Sequence, residues 1–212
     1  MHHLATATMD IKVTELRNYQ SFITVPGINK KYLLNWAKPN KHLNVYRASQ
    51  PFYDISKGED TSHTFPMRLI KWLMAPPRNI RLIVSLNHHP IDPTTQTYFD
   101  ALKVKFIHVR TPDFGVPDMN EIRDACEFMK RTLDRDESVL IYCGYGQGRT
   151  GTMYSAFEVF DMCRTSRDTT LDQIIAQSTA ETSGQEKLLR ALSNLAHIPY
   201  PAKRKSRMPM YT

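Results

Sequence analysis

Cys143-Gly144-Tyr145-Gly146-Gln147-Gly148-Arg149-Thr150-Gly151 stands between a continuous apolar run and a helical pattern, and it holds the parts of an anion cradle. Glycines at 144, 146 and 148 let successive backbone N–H groups turn toward one point, and the N-terminus of the following helix adds partial positive charge. Arg149 can grip two oxygens of a tetrahedral dianion in a planar fork, which a lysine cannot reproduce. The same field favours the thiolate of Cys143 over its thiol, placing a nucleophile beside the bound anion. The spacing points to nucleophilic attack on a phosphate-like group held by Gly144, Tyr145, Gly146, Gln147, Gly148 and Arg149.

Other reactive residue types read as structural. Cys126 shares an apolar helix face with Ile122, Met129 and Leu133, and Cys163 reads as core on the helix after the loop, a redox partnership with Cys143 being the lesser alternative. Three cysteines without Cys-x-x-Cys spacing build neither a disulfide framework nor a zinc site. His88-His89 precedes Pro90 with no third ligand at useful spacing and reads as a polar loop, so no metal or other cofactor is expected.

The elements that must position the loop follow from periodicity. Val139-Leu140-Ile141-Tyr142 has the unbroken apolar character of a central strand covered on both faces, and a helix is expected from Thr150 to about Met162. Further strands are expected over 43–48, 81–86 and 102–109, with a short apolar stretch at 22–25 in an otherwise aperiodic start. Pro66 opens a helix whose Leu69, Ile70, Leu73 and Met74 share a face and which Pro76-Pro77 stops. Asp118 with Glu121 starts another, and Thr170/Gln173 and Ser183/Glu186 start two more, the last burying Leu188, Leu189, Leu192 and Leu195. Strands alternating with helices predict an α/β domain with a short, mostly parallel sheet and helices on both sides.

The 212 residues suit one domain, expected over 43–198, with an extension at 1–42 packing on it and a basic tail at 199–212. Hydrophobic residues at 41% and charged ones at 23% exclude disordered and fibrous classes. No apolar run is long enough for a membrane helix and Met1-His2-His3-Leu4 lacks a signal-peptide pattern, so a cytoplasmic location is expected, with delivery into another cell left open. The net charge of +7 resides at the ends: residues 1–80 carry 11 basic against 5 acidic side chains, and 203–212 carry 4 against none. Those ends are candidate docking surfaces for an acidic partner, whereas the loop lies in an acidic-leaning half.

Cysteine, five residues, arginine and then a hydroxyl residue, set between strand and helix, resembles the phosphate loop of the protein tyrosine phosphatase superfamily, with Gly146 and Gly148 at that superfamily's glycine positions. Upstream, Thr111-Pro112-Asp113-Phe114-Gly115-Val116-Pro117 resembles the general-acid loop of the classical tyrosine phosphatases without its leading Trp. It lies 30 residues before the cysteine, in an order that the low-molecular-weight phosphatases do not share. Val45-Tyr46-Arg47-Ala48-Ser49-Gln50-Pro51 and the 82–87 stretch resemble early strands of compact dual-specificity phosphatases, so the likeness spans about 43–195.

That resemblance implies catalysis without metal through a phosphocysteine. Cys143 would be the nucleophile, Asp113 the acid and then the base, Arg149 the transition-state clamp, and Thr150 a hydrogen-bond donor to the departing sulfur. Asp118 is the rival acid and is better explained as a helix cap. Tyr142 replaces the family's usual histidine, while Gln147 and bulky Tyr145 argue against a lipid substrate. Gln185, within Glu181-Thr182-Ser183-Gly184-Gln185, is a weak match to a water-positioning glutamine, and Asn29-Lys30-Lys31-Tyr32 reads as a surface turn before it reads as a phosphotyrosine-recognition loop. The expected substrate is phosphoprotein, phosphotyrosine first and phosphoserine or phosphothreonine second. RNA 5′ ends, phosphoinositides and a catalytically weak phosphopeptide-binding module stand as alternatives.

Overall fold

The computed structural model describes residues 12–14, 22–24, 31–37, 44–165 and 169–196. The basic tail at 199–212 and most of the 1–42 extension, with their docking role, lie outside the described residues.

Four parallel strands form the centre: β4 (Val45–Ser49), β5 (Ile80–Ser85), β6 (Lys105–His108) and β7 (Ser138–Cys143), in the order β4-β7-β5-β6. Three short strands before them, β1 (Lys12–Thr14), β2 (Phe22–Thr24) and β3 (Lys31–Leu34), make a separate antiparallel sheet. β3 sits against β4 through the Leu34 N–H, which donates to Ser49 Oγ at 2.7 Å, and Ala37 bridges to Arg47.

Every residue of β7 is buried, and the strand alternates its side chains between two apolar layers. Val139, Ile141 and Cys143 enter a layer with three helices: α3 (Met119–Leu133), α4 (Gly148–Met162) and α6 (Ser183–Ala196). Leu140 and Tyr142 enter the other, covered by α1 (Met67–Met74), α2 (Pro93–Ala101) and β3. A short helix, α5 (Leu171–Gln177), packs between α4 and α6. Fully burying one Leu or Phe side chain here contributes about 1.5–3 kcal/mol, which fixes the strand's register and so decides which way Cys143 points. Among the described residues no helix is long and apolar enough to cross a membrane.

The parallel α/β architecture agrees with the sequence expectation, and several local expectations need correction. The 102–109 stretch divides: Leu102 caps α2, Lys103 turns with φ +56°, and only Lys105–His108 is strand. α2 has no clear apolar stripe, so periodicity missed it, although Asp92 caps it by accepting from Thr95 N–H and Pro93 opens it. Lys31 and Tyr32 belong to β3 with Tyr32 buried, because its ring packs on Phe52, so they form no surface turn; Asn29 and Lys30 lie outside the described residues. α6 is capped one residue earlier than expected, by Thr182, whose Oγ1 accepts from Gln185 N–H at 3.2 Å; the Leu195 side chain lies outside the described residues.

Candidate active site at the strand–helix junction

The loop after β7 leaves the carboxyl edge of the sheet with a neighbour strand on each side, where open parallel sheets place their ligand crevices. Gln50 N–H donates to the carbonyls of Cys143 (2.7 Å) and Gly144 (3.1 Å), and Leu86 N–H donates to Tyr142 C=O (2.8 Å), so both flanking strands tie down the turn. Gly146 has φ +89°, and a Cβ there would lie 2.4 Å from the Ala48 carbonyl carbon; only glycine fits. Its N–H donates to Cys143 Sγ at 3.3 Å, and the cysteine is buried at the floor of the loop. Gln147 is the N-cap of α4 but its side chain makes no cap hydrogen bond, so it satisfies none of the first-turn amides. Thr150, in that first turn and not at the cap, has a buried Oγ1 without a hydrogen-bond partner.

Arg149 is 3% exposed and its guanidinium is anchored on several sides. Nη1 donates to Asp60 Oδ2 (2.5 Å), Thr111 C=O (2.9 Å) and Leu86 C=O (3.3 Å), while Nη2 pairs with Asp113 Oδ1 at 2.8 Å. Burial opposes its charge, but Cys143, Asp60 and Asp113 outweigh that and hold it more firmly protonated than usual. Asp60 is 2% exposed and was not found from sequence, for it lies 89 positions before its partner and carries no local signature. Burial opposes its ionisation too, but the His88 and His89 N–H groups (3.1 and 3.0 Å) and Arg149 keep it below the ordinary carboxylate range. The His88-His89 pair thus acts here through its main chain. Among the described residues no cluster of three potential metal ligands occurs.

Asp113 reaches Arg149 from the 111–117 segment. Thr111 is buried at its start, Gly115 N–H closes a turn on Pro112 C=O (2.9 Å), and Phe114 has φ +53° with its side chain exposed. Gln185, fully buried, tethers this segment to the one before α6: its Nε2 donates to Gly115 C=O (2.9 Å) and its Oε1 accepts from Glu181 N–H (2.8 Å). Both ends of that amide are engaged by main chain. Asp118 accepts from the Asn120 and Glu121 N–H groups at 2.9 and 3.0 Å and caps α3.

Tyr53, unnoticed in the sequence, packs beside the cradle: a Cβ on Gly144 would lie 3.0 Å from its Cε2, and its ring centroid is 5.8 Å from that of Tyr145. Burial, then the charges of Asp113 and Cys143, push its hydroxyl above the ordinary tyrosine range. Phe52, Ile55, Phe114 and Val116 are exposed on the same two segments, 51–56 and 111–117. A cavity of about 140 Å³ lined by Glu59, Asp60, His88, His89, Pro112 and Asp113 adjoins them.

Tyr142, in place of a histidine, points away from the cradle into the opposite layer. His63 Nδ1 lies 2.8 Å from Thr61 C=O and its Nε2 2.9 Å from Tyr142 Oη, a pairing that assigns the proton to Nδ1 and has the phenol donate. Burial lowers the His63 pKa to about 4, so the ring is neutral at physiological pH. Cys163 is the C-cap of α4, half-buried, and the 15 residues of that helix set it roughly 20 Å from Cys143. It is neither fully core nor within disulfide reach.

The family model described as "Polymorphic toxin system, DSP-PTPase phosphatase" matches residues 72–162, a stretch that contains both Asp113 and the cradle. Among solved structures, Tk-PTP in its active form is 21% identical with a TM-score of 0.50, covering 64% of this chain and 93% of that one. PTPMT1 is 17% identical (TM-score 0.49; 65% and 92% covered), and TpbA of P. aeruginosa 13% (0.47; 76% and 95%). No curated protein matches. The fold is that of the cysteine-based phosphatases.

Proposed function

We propose that the chain is a cysteine-dependent phosphomonoesterase acting on phosphoprotein, phosphotyrosine first, through a phosphocysteine intermediate. The observation that carries the reading is the convergence on Arg149: a guanidinium held by buried Asp60 at one nitrogen faces Asp113 with the other, at the mouth of the loop that begins at Cys143. The thiolate of Cys143 attacks phosphorus as the P–O bond breaks, and Asp113, protonated, gives its proton to the leaving phenolate. Arg149 and the amides of 144–149 hold the three equatorial oxygens, the phosphate taking Arg149 Nη2 from Asp113. Water then attacks the phosphocysteine, losing a proton to the Asp113 carboxylate, and the P–S bond breaks to return the thiolate and release inorganic phosphate. The unpartnered Thr150 hydroxyl supports a role as donor to that departing sulfur.

Tyr53 and Tyr145, with ring centroids 5.8 Å apart beside the cradle, and exposed Phe114, next to Asp113, support an aryl phosphate, since aromatic rings pair favourably with a phenyl group. The description of the matched family extends the proposal to a chain delivered to act on another cell's phosphoproteins. The test compares an aryl phosphate, phosphotyrosine and phosphoserine peptides, triphosphate-ended RNA and a phosphoinositide. Phosphotyrosine peptide is expected to have the highest kcat/KM, Cys143→Ser to leave no turnover, and Asp113→Asn to lower kcat by about 10²–10⁴-fold with binding retained. Full turnover by Cys143→Ser overturns the mechanism, and Asp118→Asn behaving as expected of Asp113→Asn overturns the choice of acid.

A further inference from the structure

The cradle's own neighbourhood supplies an anion that the mechanism above does not use. Glu181, in the segment before α6, reaches back over the start of α4: a Cβ placed on Gly148 would lie 1.9 Å from Glu181 Oε2 and 2.3 Å from its Cδ. The Gly148 N–H is directed at this carboxylate, and the charges of Asp113 and Arg149 act on it. Glu181 is exposed, and its main chain is held at this position by Gln185, whose Oε1 accepts from the Glu181 N–H while its Nε2 donates to the 111–117 segment.

Gly148 N–H is one of the amides an incoming phosphate needs, and Arg149 is its clamp. Two anions cannot share those donors without mutual repulsion. We propose that Glu181 is an affinity- and specificity-determining residue of this site: its carboxylate occupies the Gly148 side of the cradle in the free protein, and a substrate phosphate must displace it. The inference deepens the proposed function and rests on the cradle being the phosphate site. A protein whose binding-competent form is only part of the population binds more weakly by that fraction, so Glu181 raises KM. It also disfavours substrates with further negative charge beside the reacting phosphate, such as polyphosphates, over a lone aryl phosphate.

Burial and the Asp113 carboxylate raise the pKa of Glu181 above the ordinary glutamate value, against Arg149 and the Gly148 N–H, which lower it. As pH falls through that titration the competing charge is lost and anion affinity rises. Asp113, facing Arg149 from the opposite segment, competes in the same sense and is controlled with Asp113→Asn in both backgrounds.

The probe is sulfate, a dianion throughout the range used, with binding followed by calorimetry and by inhibition of aryl phosphate hydrolysis. Glu181→Gln is expected to bind sulfate about tenfold more tightly than wild type at neutral pH, with the gap narrowing as pH is lowered, and to lower KM by more than it changes kcat. Glu181→Ala is expected to do the same, which separates charge from shape. Unchanged or weaker sulfate binding in both variants overturns the inference, as does a fall in kcat with sulfate affinity unmoved. Wild-type turnover of the aryl phosphate with no tightening by Glu181→Gln sinks the inference alone. Tightening without turnover in any background sinks the proposed function alone.

Discussion

The two segments that meet at Arg149 are held in opposite ways. The 143–151 loop joins a wholly buried strand to a largely buried helix, and main-chain hydrogen bonds tie it to the ends of β4 and β5. The 111–117 segment has Phe114 64% and Val116 47% exposed, and it is retained by the Asp113–Arg149 pair, the Thr111 contacts and the single amide of Gln185. The proposed anion cradle is thus built into the scaffold. Asp113, the proposed proton donor, rides on a segment whose release costs a few local contacts, and detachable segments of that kind gate active sites.

If that contrast holds, damage to the scaffold side costs folding as well as activity. Asp60→Asn removes one partner of a buried ion pair and is expected to cost about 3–5 kcal/mol in urea unfolding, with kcat/KM falling alongside as Arg149 loses its anchor. Unaltered stability with lost activity places Asp60 in the chemistry instead. A smaller effect belongs to the layer beneath the cradle. The folded state holds His63 neutral with a pKa of about 4, below its unfolded value of 6.5, so the unfolded chain takes up a proton the folded one refuses. Stability is therefore complete above pH 6.5 and declines as pH falls toward 4, by about 3 kcal/mol in all. Unfolding of His63→Gln across that window is expected to show a shallower slope, and an unchanged slope assigns the acid sensitivity elsewhere.

The smallest effect is expected on the detachable side. Gln185→Met frees Gly115 C=O and Glu181 N–H near solvent, costing about 1–2 kcal/mol of stability. kcat is expected to fall roughly tenfold with KM less affected, and amide exchange at 113–116 to speed up. Exchange as slow as in wild type shows that Gln185 does not retain the segment.

Local chemistry explains which features were legible. The strand, glycines, cysteine and arginine of 138–151 are consecutive, and the loop's shape follows from their own backbone preferences. Asp118 and the Thr170/Gln173 capping box were equally readable, because a cap is satisfied within a few residues. α2 was missed where the apolar stripe gave no signal, and β3 was missed because the burial of Tyr32 and Leu33 depends on the apolar layer they join with residues of β4 and α1. Glu181 to Gln185 carried a weak resemblance to a glutamine loop. What was not visible is that Gln185 turns both ends of its amide to main chain while Glu181 reaches the cradle.

The sequence by itself determined a strand that ends on Cys143 and a helix that begins with a glycine-rich turn, both set by near-neighbour sterics and hydrogen bonding. Only the tertiary structure decided what surrounds them. Asp60 and Tyr53 come from the 51–61 segment, Asp113 from the one after β6, Glu181 from the one before α6 and Gln185 from the first turn of α6. Side chains so far apart in the chain are brought to Arg149 by the parallel order of the sheet and the burial of its two faces, which no local pattern encodes.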